Sequence, residues 1–318
     1  MNFNLKGYRP TRTGFGEGLR DIGGMDMRVV ALGADITNSV GMNLFRDACP
    51  DRFFSFGIAE QNIMGVAAGL ALGGKVPFMA TYGVFSAMRA LDQIRVSVCF
   101  NNLNVKIGGA HAGISVGPDG ATHQALEDIA VMRVLPHMTV LSPCDAAQAR
   151  NAVIAAVEQV DGPVYIRFGR EAVPEFTTAE LEFKVGRAQV FRHGTGVAII
   201  ATGHMVWEAL EAAKLLAGQG IEASVVNMHT IKPLDEKTIL MMAGISGAMV
   251  TAEEHQITGG LGGAVAECLA KNRPVPVEFV GMPDVFGESG QPAELMDKYG
   301  LKSRHIARAA IEVIRRKS

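Results

Sequence analysis

The sequence predicts an α/β protein of two domains, and three observations point there. The chain has 318 residues, more than one ordinary core organises, since domains run to roughly 100–200 residues. Short apolar runs alternate with segments of helical period, as in a sheet whose crossovers are helices. The 37 glycines against an aromatic content of 6% suit the tight turns of an α/β enzyme better than a β-sandwich.

In chain order, Arg28–Gly33 reads as a buried strand ending at Ala34-Asp35, and Arg52–Gly57 as a second. The second runs into a helix from Ala59 to about Leu72, stopped by Gly73-Gly74. Val76–Ala80 is a third strand, Ser86–Phe100 a helix and Asn104–Gly108 a fourth strand. Gly108 to Gln124 is glycine-rich with no strong period and reads as a loop. Thr139–Leu141 and Val164–Arg167 are strands around a helix, Asp145–Gln159. Pro174, paired threonines and mixed charge over 171–195 mark a connection, with the linker proper at 176–195 between domains of 1–175 and 196–318. The second domain repeats the alternation: strand Gly196–Ala201, helix Val206–Gln219, strand Ala223–Asn227, helix Asp235–Met242, strand Ala248–Ala252, helix Gly263–Lys271 and a last helix near Ser303–Arg315.

Composition excludes several classes. Lys+Arg 30 against Asp+Glu 32 argues against a basic nucleic-acid surface, and a hydrophobic content of 48% against disorder. The first ten residues lack the apolar stretch of a secretory signal, and no apolar run reaches about 18 residues, so no membrane span is expected. Cys49, Cys99, Cys144 and Cys268 are scattered without CxxC spacing, which fits a reducing, cytoplasmic location and neither a zinc ribbon nor a redox dithiol.

Ligands in open α/β sheets bind beyond the carboxyl ends of strands. That rule marks Asp35, Glu60, Thr81-Tyr82, Gly109–His123 and Arg167–Arg170. Glu60 opens a helix, where a first-turn acid is favoured by the helix dipole. Its apolar flanks (Phe54, Phe56, Ile58, Ile63, Met64) would raise its pKa and let it share a proton near neutral pH. His111 and His123 share the glycine-rich loop, which suits acid–base work, and Asp119–Gln124 closes it with Thr122 in a capping position. Arg12, Arg167 and Arg170 are surface salt-bridge partners or a bidentate grip for an anion. Thr258–Gly263 lacks both the P-loop ending and GxGxxG spacing and reads as a packing turn. Glu253-Glu254-His255 reads as an exposed strand end, with metal binding the alternative.

Together these segments resemble the C-terminal half of transketolase over nearly the whole chain from about Arg12. The resemblance rests on Gly57-Ile58-Ala59-Glu60-Gln61-Asn62, Leu91-Asp92-Gln93-Ile94-Arg95, Asp119-Gly120-Ala121-Thr122-His123-Gln124, Ile231-Lys232-Pro233-Leu234-Asp235 and Glu253-Glu254-His255 with Gly259-Gly260-Leu261-Gly262, in that order and spacing. It implies an α/β pyrimidine-binding domain over 1–175, a transketolase C-terminal domain over 196–318, and thiamine diphosphate as cofactor. The family's diphosphate module carries Gly-Asp-Gly with a divalent metal, and Gly-Asp-Gly is nowhere in this sequence. The resemblance therefore implies a split enzyme: an N-terminal partner subunit holding the diphosphate and Mg2+ or Ca2+, no metal site on this chain, and an α2β2 assembly. Glu60 resembles the glutamate that exchanges a proton with the aminopyrimidine N1′. Tyr82 and Phe85 resemble the aromatics packed on that ring, with Met88 where a third aromatic often stands. Asp35 resembles a strand-end acid near the cofactor. His123 resembles the histidine at the donor C1 hydroxyl, and Asp119 the aspartate that reads the acceptor C2 hydroxyl. Arg12, Ser39, His111 and Arg170 resemble the set that holds a sugar phosphate. The implied activity is transfer of a two-carbon ketol unit from a ketose phosphate to an aldose phosphate. A relative of deoxyxylulose-phosphate synthase, a 2-oxoacid dehydrogenase β subunit and a non-catalytic partner are the alternatives.

Overall fold

A computed structural model describes residues 3–317. β1 (Gly7–Pro10) leads into α1 (Thr11–Met25), β2 (Val29–Gly33), α2 (Asn43–Ala48), β3 (Phe53–Ser55), α3 (Glu60–Leu72) and β4 (Val76–Tyr82). The next helix widens to π geometry over Phe85–Arg89 and Ile94–Cys99, with one α turn, α4 (Leu91–Gln93), between them. β5 (Lys106–Ala110), α5 (Asp128–Val134), β6 (Thr139–Leu141), α6 (Ala146–Glu158) and β7 (Val164–Arg167) complete the first set. β8 (Ala172–Glu175) pairs antiparallel with β1. The second set is β9 (Gln189–Arg192), β10 (Val197–Ala201), α7 (Met205–Ala217), β11 (Ala223–Asn227), β12 (Thr230–Lys232), α8 (Glu236–Ser246), β13 (Met249–Gln256), α9 (Leu261–Asn272), β14 (Val277–Met282), α10 (Pro292–Lys298) and α11 (Ser303–Ile314).

The first sheet runs β12-β6-β7-β5-β4-β2-β3, parallel except for β12, and the second runs β14-β13-β10-β11-β9, parallel except for β9. Apolar clusters lie on both faces of each sheet, as continuous Val/Ile/Leu strands require. The connecting stretch thus contains β9, a strand of the second sheet. β12, from the second half of the chain, closes the edge of the first sheet on β6, so the two sheets are joined by pairing as well as packing.

Helix α1 has no counterpart among the predicted elements. It contains Gly14, Gly16, Gly18, Gly23 and Gly24, and each interior glycine costs about 1 kcal/mol against alanine. Packing reverses that penalty. A Cβ on Gly14 would lie 1.9 Å from the Ala146 carbonyl oxygen, and one on Gly18 would lie 2.6 Å from that of Arg150. The glycines let the backbones of α1 and α6 approach closely, while Phe15, Leu19 and Ile22 are buried on one face.

α6 starts at a built cap. Asp145 accepts the Gln148 amide at 2.9 Å, and its other oxygen accepts the amides of Phe176 and Thr177 at 3.0 and 2.7 Å. The helix is thereby anchored to the chain that leaves the first domain.

His229, between β11 and β12, is fully buried, with its ring 4.0 Å from that of Phe183. Burial pushes it down to about 4 from an ordinary value of 6.5. The unfolded chain therefore takes up a proton near pH 6.5 and the folded chain only near 4. His229 removes stability as pH falls through that window and adds no pH dependence above it. Urea midpoints at pH 7 and pH 5 should accordingly fall less in His229→Asn than in the wild type, and equal falls would refute the assignment.

Candidate active site

The carboxyl ends of β2, β3, β4, β5 and β7 converge on one edge of the first sheet. β4 delivers Tyr82, β5 delivers His111 and β7 delivers Arg170. α1 brings in Arg12, because Thr11 Oγ1 accepts the Gly169 amide at 2.8 Å and fixes the helix start beside the end of β7.

Four predicted residues form one connected group. Arg12 Nη1 donates to the Ser39 carbonyl at 3.0 Å, and His111 Nε2 lies 3.2 Å from the same oxygen. Ser39 Oγ is 3.3 Å from the Tyr82 hydroxyl, and the Tyr82 ring stacks on His111 at 4.3 Å. Phe85 continues the aromatic surface 6.0 Å from Tyr82, and His123 meets both rings edge-on at 5.8 and 5.4 Å. Arg170 donates to Asp119 at 3.0 Å and to the Val116 carbonyl at 3.2 Å.

His111 is held with φ +50. Burial, reinforced by the Arg12 and Arg170 guanidiniums against the bond to Ser39, pushes it down to about 4, so its ring is neutral at pH 7. The Ser39 carbonyl can only accept, so Nε2 carries the proton. Nδ1 is then a buried acceptor with no partner among the described residues. A buried acceptor of this kind can take a proton donor from outside the chain.

Glu60 begins α3 and is 2% exposed. Its Oε1 accepts Arg89 Nη1 at 3.0 Å, and no described residue donates to Oε2. Arg89 also covers Phe85, its guanidinium carbon 4.1 Å from the ring centroid. Arg89 is not among the expected site residues. The signal available for it is its helical i,i+4 spacing from Phe85.

Several expectations are corrected. Of the apolar flanks expected around Glu60, Ile63 and Met64 are fully buried while Phe54 is 42% and Ile58 71% exposed, and the Arg89 guanidinium pairs with the carboxylate. Met88 is partly buried against the apolar cluster that contains Ile63 and Met64. Asp35 is exposed at the carboxyl end of β2 with φ +67. The glycine-rich loop is wound into short 3-10 turns over Ile114–Asp119, broken by a kink at Gly117 with φ +77. Arg167 is buried rather than at the surface; its Nε donates to Asp128 and its Nη2 to the Ala125 and Glu254 carbonyls. Glu253-Glu254-His255 is buried rather than an exposed strand end. These three side chains do not converge on a metal. Glu253 accepts the Leu261 and Gly262 amides at the start of α9, Glu254 turns to the first domain, and His255 Nε2 accepts the Ala130 amide. A carboxylate of the chain thus occupies the anion position at the Thr258–Gly263 turn.

Transketolase family domains match this architecture: the pyrimidine-binding domain over residues 8–175 and the C-terminal domain over 186–306. The chain belongs to the transketolase family. It is 46% identical over 293 residues to the 6-deoxy-6-sulfo-D-fructose transketolase subunit SqwH of Clostridium sp. (strain MSTE9), covering 92% of this chain and 91% of that one. It is 39% identical over 306 residues to an apulose-4-phosphate transketolase subunit of Phocaeicola vulgatus, covering 96% and 97%. A solved split gene transketolase, described as an inactive β4 tetramer, superposes with a TM-score of 0.91 at 48% identity, covering 97% of this chain and 99% of that one.

Transketolases depend on thiamine diphosphate, and this site fits its pyrimidine end. The chain supplies a buried carboxylate with one oxygen uncommitted, beside an aromatic surface. It supplies no Gly-Asp-Gly for the diphosphate. No described helix is long and apolar enough to cross a membrane, and all four cysteines are free.

Proposed function

We propose that this chain is the C-terminal subunit of a two-chain transketolase that moves a two-carbon ketol unit from an anionic ketose to an anionic aldose. The observation that carries it is the connected Arg12, Ser39, His111 and Tyr82 group on the same sheet edge as buried Glu60, in a chain that spans 91% of the Clostridium transketolase subunit and 99% of the solved split gene transketolase chain it resembles. Thiamine diphosphate, when bound, supplies the electron sink for breaking the ketose C2–C3 bond. Glu60 would hold and exchange a proton at the pyrimidine nitrogen through Oε2, and Tyr82 and Phe85 would pack against that ring. His111 would accept a sugar hydroxyl at Nδ1, with His123 and Asp119 reading further hydroxyls from the loop. Arg12 and Arg170 would take the distal anion. Asp35 would act at the cofactor-side edge of the site.

Phosphate and sulfonate both satisfy two guanidiniums, so this chemistry suits a sugar phosphate as well as the sulfo-sugar named for the Clostridium relative. The partner would be an N-terminal transketolase subunit whose Gly-Asp-Gly holds the diphosphate and a divalent metal, Mg2+ or Ca2+. Two copies of each subunit would close a two-fold assembly. Exposed Phe54, Ile58, Val96 and Phe100 offer the apolar surface such a partner needs, and free thiols fit a reducing cytoplasm.

The test is reconstitution. The purified chain alone should neither turn over sugar phosphates nor retain thiamine diphosphate. Affinity capture from the native cells should recover a second chain carrying Gly-Asp-Gly, and adding that chain should restore both properties. Turnover by the rigorously purified single chain would refute the proposal.

A further inference from the structure

The loop that carries the sugar-reading groups is held from the other domain. β13 brings Glu254 across the domain boundary, where Oε1 accepts the Ser115 amide at 2.6 Å. Its Oε2 lies 3.2 Å from His204 Nδ1, and its backbone carbonyl accepts Arg167 Nη2 at 2.8 Å. The loop is shaped to receive this carboxylate. Gly113 sits at φ +91, and a Cβ there would fall 2.2 Å from the Glu254 carboxyl carbon. Beyond the turn, Gln124 is held from the same domain: its Nε2 donates to the Glu288 carbonyl at 2.9 Å and back to the Ile114 carbonyl at 3.2 Å.

Between Ser115 and Gln124 lie Val116–Asp119 and His123, with His111 just before them. Arg170 is bonded to the same turn through Val116 and Asp119. A shift of Ser115 therefore displaces groups proposed for the sugar, whereas Glu60 starts α3 and is bonded to Arg89, outside the loop. A buried carboxylate accepting a short backbone bond is a stiff connection, because losing it strands an amide in a water-poor boundary.

We infer that Glu254 is a positioning residue of the C-terminal domain that sets sugar affinity by holding the Ile114–Asp119 turn through the Ser115 amide. The inference rests on the sugar-binding reading of His111, Asp119 and His123 given above.

Two readouts test it. In the assembled two-chain enzyme, Glu254→Ala and Glu254→Asp, whose carboxylate stops short of Ser115, should raise the KM for both sugars about tenfold. They should change kcat by less than about threefold and leave the thiamine diphosphate affinity unchanged. Glu254→Gln keeps an acceptor for the Ser115 amide and should restore KM to within about threefold of the wild type. In the chain alone, deuterium exchange over residues 113–120 should speed up in the Asp and Ala variants and stay near wild type in the Gln variant. An unchanged KM in both the Ala and Asp variants would overturn the inference. So would equal losses in the Gln and Asp variants that track thermal stability. Were the assembled enzyme to lack transketolase activity, the function would fail on its own, and unchanged exchange at 113–120 would separately overturn the role of Glu254.

Discussion

Glu60→Gln in the assembled enzyme is expected to slow deuterium exchange at C2 of bound thiamine diphosphate by about 10²- to 10⁴-fold, the usual worth of a positioned acid–base group. The amide keeps the shape of the side chain and a hydrogen-bonding atom at Oε2 but cannot exchange a proton. Cofactor affinity should change far less than the exchange rate. The carboxylate is buried at the start of α3 and, among the described residues, bonded only to Arg89, so the substitution disturbs one ion pair. Arg89→Met is the control: it removes the same ion pair and leaves the carboxylate, and it should retain most of the exchange rate. Wild-type exchange in Glu60→Gln, measured by NMR after acid quench, would remove Glu60 from its proposed role.

Asp128→Ala should cost about 3–5 kcal/mol of stability, the toll of leaving a buried charge without its partner. Asp128 is fully buried, and its Oδ2 accepts Arg167 Nε at 2.9 Å and the Tyr165 hydroxyl at 2.8 Å. Removing it strands a guanidinium that also ties the Ala125 and Glu254 carbonyls, one in each domain. Asp128→Asn retains an acceptor and should lose less. Urea unfolding of the chain alone measures both. A loss under about 1 kcal/mol for the alanine variant would show that Arg167 finds water or another acceptor.

Much of the site is legible without the fold. Glu60, Tyr82, His111, His123 and Arg170 all follow strands whose apolar runs are unmistakable, and a parallel sheet gathers whatever follows its strands at one edge. Ser39 and Arg12 are legible only by family resemblance. Arg12 rides on a helix with five glycines, and its first turn is placed by a hydrogen bond between Thr11 and Gly169, more than a hundred residues away. Arg89 carries little signal of its own because its partner Glu60 lies on a different helix. Arg167 and Glu254 read as surface groups in the sequence, since a charged residue carries no local mark of burial. Each is buried because a distant element supplies its partner: Asp128 for one, Ser115 for the other.

The sequence by itself determined the α/β alternation, the two-domain division and the residues at strand ends, because apolar period and turn chemistry act within a few residues. The tertiary structure alone decided that α1 is a helix, that β12 closes the first sheet, and that the C-terminal domain holds the glycine-rich loop. Those outcomes depend on the close approach of α1 to α6, an antiparallel pairing with β6 and a carboxylate crossing between domains. Each joins groups far apart in the chain, and their energies exist only once the packed core has brought those groups into contact.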